Sequence, residues 1–142
     1  MIEESGDLWN FYKDGYWVVI PTNGTVQRRD GKAVMGAGLA LDAARAFPDL
    51  PKRLGELINY GGNHVKVIED YRMILFPTKK HWMDNSTLGL IKQSAGELKK
   101  LLKTNLKDIK ICCPRVGCGT GKLSWDKVKP LLEGLDITVV SQ

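Results

Sequence analysis

Tyr16-Trp17-Val18-Val19-Ile20, a polar stretch from Thr22 to Lys32, and then Gly36-Ala37-Gly38-Leu39-Ala40-Leu41 running on to Phe47 form the segment whose reading decides the fold. Five consecutive apolar or aromatic residues fill a strand buried on both faces. Leu39, Ala40, Leu41, Ala43, Ala44 and Ala46 give the following stretch a helical composition. Pro48 ends that helix, because a residue before proline avoids the helical region. Strand, glycine-bearing loop and helix in succession form the repeating unit of a layered α/β fold.

The alternation continues outward. Pro51 suits the first turn of a helix reaching Tyr60, with Gly61-Gly62 as its stop. Val65 to Ile68 and Met73 to Phe76 read as two strands paired through a short turn at Glu69-Asp70. A loop from Pro77 to Asn85 follows, with Ser86 or Thr87 placed to cap the next helix. In that helix Leu88, Ile91, Ala95, Leu98 and Leu102 recur at three- and four-residue spacing, with lysines opposite. Ile109 to Cys113 is strand-like, Pro114 to Lys122 is a glycine-rich loop, Ser124 is a cap for a helix through Glu133, and Ile137 to Val140 is a last strand. At 142 residues the chain is expected to form one domain over 1–142, an α/β sandwich with its sheet covered on both faces. Ligands of such folds sit beyond the carboxyl ends of strands. Three loops lie there: Pro21 to Gly38, Pro77 to Ser86, and Pro114 to Ser124.

Composition narrows the function classes. Hydrophobic residues make up 43% and charged residues 26%, a mixture that buries a core and excludes a disordered chain. Lys and Arg number 21 against 16 Asp and Glu, so the net charge of +5 permits an anionic ligand without requiring one. No apolar run approaches the roughly 20 residues of a membrane span. Met1 to Asn10 is acidic and unlike a secretory signal, so a cytoplasmic protein is expected. Cys112, Cys113 and Cys118 make a poor disulfide framework, which agrees with a reducing compartment. The spacing of His and Cys matches no metal site, so neither metal nor cofactor is expected, and a monomer is the expected state.

The three loops carry whatever chemistry there is. Gly36 and Gly38 precede a helix N-terminus, where free N–H groups favour a phosphate. A simple tight turn explains them equally well, and G-A-G-L-A-L lacks the third glycine of a dinucleotide fingerprint. In Pro114 to Lys122, Gly117, Gly119 and Gly121 alternate, freeing successive N–H groups to line an anion nest; Thr120 and Lys122 add a hydroxyl and a charge. The spacing is not that of a Walker A loop. Two phosphate-friendly loops at one sheet edge suggest a diphosphate held between them. Lys79, Lys80, His81 and Trp82 combine charge with a stacking surface, although this loop alone reads first as a solvated basic loop with Trp82 tucked against the body. His64 reads as a strand-start residue. Cys112 and Cys113 read as core residues and Cys118 as a packing thiol rather than a nucleophile.

Taken in order, Val18-Val19-Ile20-Pro21-Thr22-Asn23, Met35-Gly36-Ala37-Gly38-Leu39-Ala40 and Pro114-Arg115-Val116-Gly117-Cys118-Gly119 resemble the signature segments of a macrodomain. The resemblance covers nearly the whole chain and includes Gly6-Asp7-Leu8, which is similar to the family's Gly-Asp-Ile segment. Phe76-Pro77-Thr78-Lys79-Lys80-His81-Trp82 resembles the branch of antitoxin macrodomains that remove ADP-ribose from DNA, and the related hydrolases of ADP-ribosylated glutamate.

The resemblance implies a three-layer α/β/α fold with a mixed central sheet, binding ADP-ribose or an ADP-ribosylated macromolecule such as DNA. Asp7 would accept a hydrogen bond from the adenine amino group, with Leu8 beside it. Asn23 would bond the distal ribose. Gly36, Ala37, Gly38, Leu39 and Ala40 would form the loop near that ribose and the diphosphate, with Thr78 also in contact. Val116, Gly117, Cys118, Gly119, Thr120 and Gly121 would form the second diphosphate loop, assisted by Lys122. In the hydrolase branch a lysine attacks the distal ribose, and the matching position is expected at Ala44, followed by Arg45. One relative has an acid where this chain has Gly121. Without that lysine, an enzyme acting on an ADP-ribosyl adduct or ADP-ribose 1″-phosphate would rely on water, with Asn23 orienting the ribose and His81 as general acid or base. The alternative is a reader that binds ADP-ribose without turnover. A nucleic-acid binder is kept as an accessory role. The segment Gln27 to Lys32 looks inserted; its Arg28, Arg29, Asp30 and Lys32 read by default as a solvated charge run.

Overall fold

The computed structural model describes residues 1–142. The elements run β1 (Ile2–Ser5), α1 (Leu8–Lys13), β2 (Trp17–Asn23), α2 (Gly38–Ala46), α3 (Leu50–Gly61), β3 (Lys66–Ile68), a 3-10 turn (Glu69–Tyr71), β4 (Met73–Lys79), α4 (Leu88–Leu102), β5 (Ile111–Cys113), α5 (Trp125–Leu132) and β6 (Thr138–Ser141). The six-stranded sheet has the order β1-β6-β5-β2-β4-β3. All neighbours are parallel except β3, which pairs antiparallel to β4. The sheet is therefore mixed, as expected.

Strand alternation sorts the core into two layers. Val19, Ile74, Phe76, Cys113 and Val139 face one cluster with Ile91 and Leu98 of α4 and Val128 and Leu132 of α5. Val18, Ile20, Met73, Leu75, Cys112 and Val140 face the other, with Leu8 of α1, Ala43 of α2 and Leu50 and Leu54 of α3. Each central strand thus buries both faces, which is why its sequence is continuously apolar rather than alternating. Burial holds the Cys112 thiol pKa up at about 12 and pushes that of Cys113 up as well, so both are inert packing groups.

Two strands run further than their apolar cores. β2 continues through Pro21 to Asn23, and β4 continues through Pro77 to Lys79, so Asn23, Thr78 and Lys79 end strands instead of lying in loops. Proline is tolerated in central β2 for a topological reason. Trp17 N donates to Lys110 O and Val18 N to Arg72 O, so odd-numbered residues face β5. The β5 ladder pairs only with Trp17 and Val18, so the side that Pro21 faces has already run out of ladder.

β1 and α1 carry no strong sequence signal. β1 is an exposed edge strand, and α1 spans only six residues, with Asp7 as its N-cap accepting from Trp9 N at 2.9 Å. Thr87, not Ser86, caps α4. Ser124 stands at the N-cap of α5 but makes no capping hydrogen bond. His64 sits just before β3, its Nδ1 2.7 Å from Glu97 Oε2 on α4.

The segment expected to be a solvated charge run is a braced arm. Val26 bridges to Ala33, Gln27 N donates to Lys32 O at 2.8 Å, and Lys52 Nζ of α3 donates to Asp30 O at 2.8 Å. The arm lies so close to α3 that a Cβ added at Gly55 would stand 2.0 Å from Gly31 O. Gly55→Ala is expected to lift the arm and lower stability by about 1–3 kcal/mol, as overpacking does. Thermal denaturation with hydrogen exchange at residues 27–33 checks this.

Candidate functional site: a cleft at the strand ends

The carboxyl ends of β2 and β4, the loop entering α2 and the loop after β5 enclose one cleft. A half of about 440 Å³ is lined by residues that include Asn23, Met35, Gly36, Thr78, Lys79 and Trp82. An adjoining half of about 240 Å³ is lined by residues that include Gly38, Leu39, Ser86, Arg115, Gly119 and Gly121. Pro21, Ala37, Ala40, Thr78 and Thr120 line both, so the halves are continuous. The two glycine loops face one another across it: a Cβ added at Gly38 would lie 3.9 Å from Thr120 Cγ2. Gly38 has φ +57 at the first turn of α2, a conformation that only glycine adopts freely. The N-terminus of α2 therefore opens on the cleft with no side-chain cap, leaving its N–H groups for an anion.

The β2–β4 register slips at the cleft. Thr22 opposes Pro77, while Asn23 opposes Lys79, so Thr78 is an extra residue on β4. In a regular strand Thr78 and Lys79 would point to opposite faces. The bulge re-aims the chain, and both residues line the same cavity. The backbone here is pinned: Asn63 Nδ2 donates to Lys79 O at 3.0 Å, and Gly24 N to Lys80 O at 3.1 Å. Asn23 is equally fixed. Its Nδ2 donates to Val34 O at 2.9 Å and its Oδ1 accepts from Thr25 N at 3.0 Å, leaving one N–H and one lone pair for a ligand.

On the floor of the second half, Ser86 Oγ donates to buried Thr78 Oγ1 at 3.2 Å. A Cβ at Gly121 would stand 2.1 Å from that Ser86 Oγ, so no side chain fits there, acidic or otherwise. Sequence reading missed Ser86 as a site residue and took Lys79 first as part of a solvated basic loop. A pair of strand-flanking polar residues after Phe76-Pro77 was the available signal, but their shared direction depends on the bulge.

Several expected contacts fall elsewhere. Leu8 is buried in the core, so its side chain is closed to a ligand. Asp7 is exposed, caps α1 and does not line the cleft. Val116 is fully buried, which restricts it to backbone contact. Lys122 is exposed with φ +63 and lies outside the cleft wall. Cys118 Sγ lies 3.5 Å from Val116 O, and burial raises its thiol pKa, as suits a packing thiol. His81 is the expected acid or base. It is exposed, Met83 N donates to its Nδ1 at 3.3 Å, and it does not line the cleft. His81→Ala is accordingly expected to leave turnover within about threefold in a substrate-release assay, against the 10²-fold or more of a positioned acid or base. Ala44 is likewise absent from the cleft wall; it packs against the α2–α3 side of the core. Among the residues lining the cleft, the lysine is Lys79.

No family model matches the chain. It is 30% identical over 135 residues to a DNA ADP-ribosyl glycohydrolase of Thermus aquaticus, covering 84% of this chain and 37% of that protein. In structure it is similar to the macrodomain of Mycobacterium tuberculosis DarG, with a TM-score of 0.80 and 26% identity over 100% of this chain and 98% of that one. The chain belongs to the macrodomain family. Within it, this macrodomain stands with those of DarG. A Thermosipho africanus DarTG solved in complex with ADP-ribose shares the fold, with a TM-score of 0.76 at 22% identity, covering 96% of this macrodomain and 40% of that chain. The macrodomain thus spans little over a third of the length of the glycohydrolase it matches. No group of His, Cys, Asp or Glu in it is arranged to hold a metal, and no helix is long and apolar enough to cross a membrane.

Proposed function

We propose that this macrodomain binds ADP-ribose in the strand-end cleft and hydrolyses an ADP-ribosyl adduct at the distal ribose, with ADP-ribosylated DNA as the substrate class. The observation that carries the reading is the meeting of Asn23, Lys79 and the two glycine loops around one cavity. The uncapped N-terminus of α2 and the nest at Gly117 to Gly121 hold the diphosphate through backbone N–H groups, and Asn23 orients the distal ribose. The activity of the Thermus relative and the ADP-ribose in the Thermosipho complex support the ligand.

Lys79 takes the part expected of a lysine at Ala44. Its amine nitrogen attacks the anomeric carbon of the distal ribose. The bond from that carbon to the modified base breaks, and the base leaves with the proton that the newly alkylated Lys79 nitrogen gives up. Water then displaces the lysine, which releases ADP-ribose and restores the amine. ADP-ribose 1″-phosphate is the smaller alternative substrate. The case for a reader without turnover rests on the lysine missing at Ala44, and the place of Lys79 in the cleft weighs against it. Gly121 keeps the reader in the test, because no acid stands in the second loop to assist the leaving group.

The experiment is calorimetric titration with ADP-ribose, followed by chromatography of products from ADP-ribosylated single-stranded DNA, ADP-ribosylated protein and ADP-ribose 1″-phosphate. Binding with release from DNA is expected. Binding with no product from any of the three supports the reader, and no binding at millimolar ADP-ribose removes both.

A further inference from the structure

We propose that the arm 27–32 and Trp82 form a seat for a single-stranded nucleic-acid segment emerging from the cleft. This rests on the reading of the cleft above and identifies what holds the macromolecular half of its substrate.

The arm and the loop after β4 form one rim. Gln27 and Trp82 line the same half of the cleft, and Trp82 N donates to Thr25 Oγ1 at 3.0 Å. Trp82 is 49% exposed and Met83 72%, although large apolar side chains are seldom left in water without a partner. The expected tucking of Trp82 against the body is therefore incomplete. Cations follow Gln27 along the arm and precede Trp82 in its loop. Arg28, Arg29, Lys32 and Lys80 are exposed, and the Arg29 side chain is 81% so. The arm's own acid, Asp30, turns back to accept from Lys32 N at 3.0 Å and lies 3.7 Å from Arg29; Asp84 is the acid on the facing loop.

The charged side chains are solvated, but the arm that carries them is braced. Lys52 Nζ donates to Asp30 O and Ala33 N to Pro51 O, which with the contact at Gly55 hold the arm to α3, while Gln27 N donates to Lys32 O within it, so the arginines project from a fixed base. An exposed indole flanked by cations is the recognition chemistry of single strands, where bases stack on the ring and phosphates meet the charges. A duplex keeps its bases inside the stack and offers none to Trp82.

The test compares wild type with Arg28→Ser/Arg29→Ser, both positions outside the cleft wall, by fluorescence anisotropy of a labelled, unmodified 12-nucleotide single strand. The double variant is expected to bind at least fivefold more weakly at low salt. The slope of log affinity against log salt is expected to fall by about 1.4, from two single-strand phosphates at about 0.7 each. Affinity for ADP-ribose and the melting temperature stay unchanged, and Arg28→Lys/Arg29→Lys restores the slope. Trp82→Leu is expected to weaken strand binding without changing the slope. Duplex DNA of the same sequence and a polyglutamate peptide are expected to bind more weakly than the strand. An unchanged slope and affinity in the serine variant overturns the proposal, as does equal binding of duplex or polyglutamate. Loss of ADP-ribose binding by the wild type overturns the cleft reading instead.

Discussion

Lys79→Ala is expected to abolish release of ADP-ribose from an ADP-ribosylated strand while leaving ADP-ribose itself bound. Removing a nucleophile typically costs a factor on the order of 10³ or more in turnover. Affinity should change by less than about threefold, because in the proposed binding mode backbone N–H groups of α2 and the second loop, rather than this side chain, hold the diphosphate. Lys79→Arg should not rescue turnover: a guanidinium stays protonated and offers no amine to attack. Single-turnover assays read the first quantity and calorimetry the second. A lysine serving only as a counter-charge would give the opposite split, with weaker binding and partial rescue by arginine. The assignment stands on the β4 bulge, since without Thr78 as the extra residue Lys79 would face away from the cavity that Thr78 lines.

Gly121→Ala is the second large effect expected. The new methyl would stand 2.1 Å from Ser86 Oγ and 2.6 Å from Gly117 O. A serine hydroxyl can rotate away, but a backbone oxygen shifts only with the loop that carries it. Ser86 N also donates to Gly121 O at 3.1 Å, so moving residue 121 disturbs the bond that joins the second loop to the start of α4. Overpacking of this kind costs about 1–3 kcal/mol, which for a domain of this size lowers Tm by roughly 3–12 °C. ADP-ribose affinity should fall at least tenfold, since the displaced N–H groups belong to the anion nest. Gly119→Ala is the control. Nothing lies within 4 Å of a Cβ there and its φ is not positive, so stability should stay within about 0.5 kcal/mol, the range of an ordinary surface change. Thermal melts of both variants, with calorimetry, separate the two glycines.

That contrast shows where the sequence stopped being legible. Gly117, Gly119 and Gly121 are identical letters in alternation, and reading them as a nest treats them alike. In the fold they differ: Gly117 is held by φ +76, Gly121 by its contact with Ser86, and Gly119 by neither. By sequence the Gly36-to-Gly38 loop is equally a turn or a phosphate site; only the fold sets Thr120 opposite Gly38 across a cleft. The lysine followed the same pattern. Counting along α2 led to Ala44, whereas the lysine in the cleft comes from β4, 35 residues later in the chain.

What the sequence by itself determined is the architecture. Runs such as Val18-Val19-Ile20 and Met73-Ile74-Leu75-Phe76, the period of α4, and the glycines and prolines between them set the alternating strands and helices, because burial and local propensity act on neighbouring residues. β1 and α1 escaped because one is an exposed edge and the other a single capped turn and a half, each stabilised by distant partners. What only the tertiary structure decided is which polar groups converge. A one-residue slip between β2 and β4, the docking of the 27–32 arm on Gly55 and the meeting of two loops across the sheet edge are long-range events. Their direction depends on register and close approach, which are properties of two segments at once and are written in neither alone.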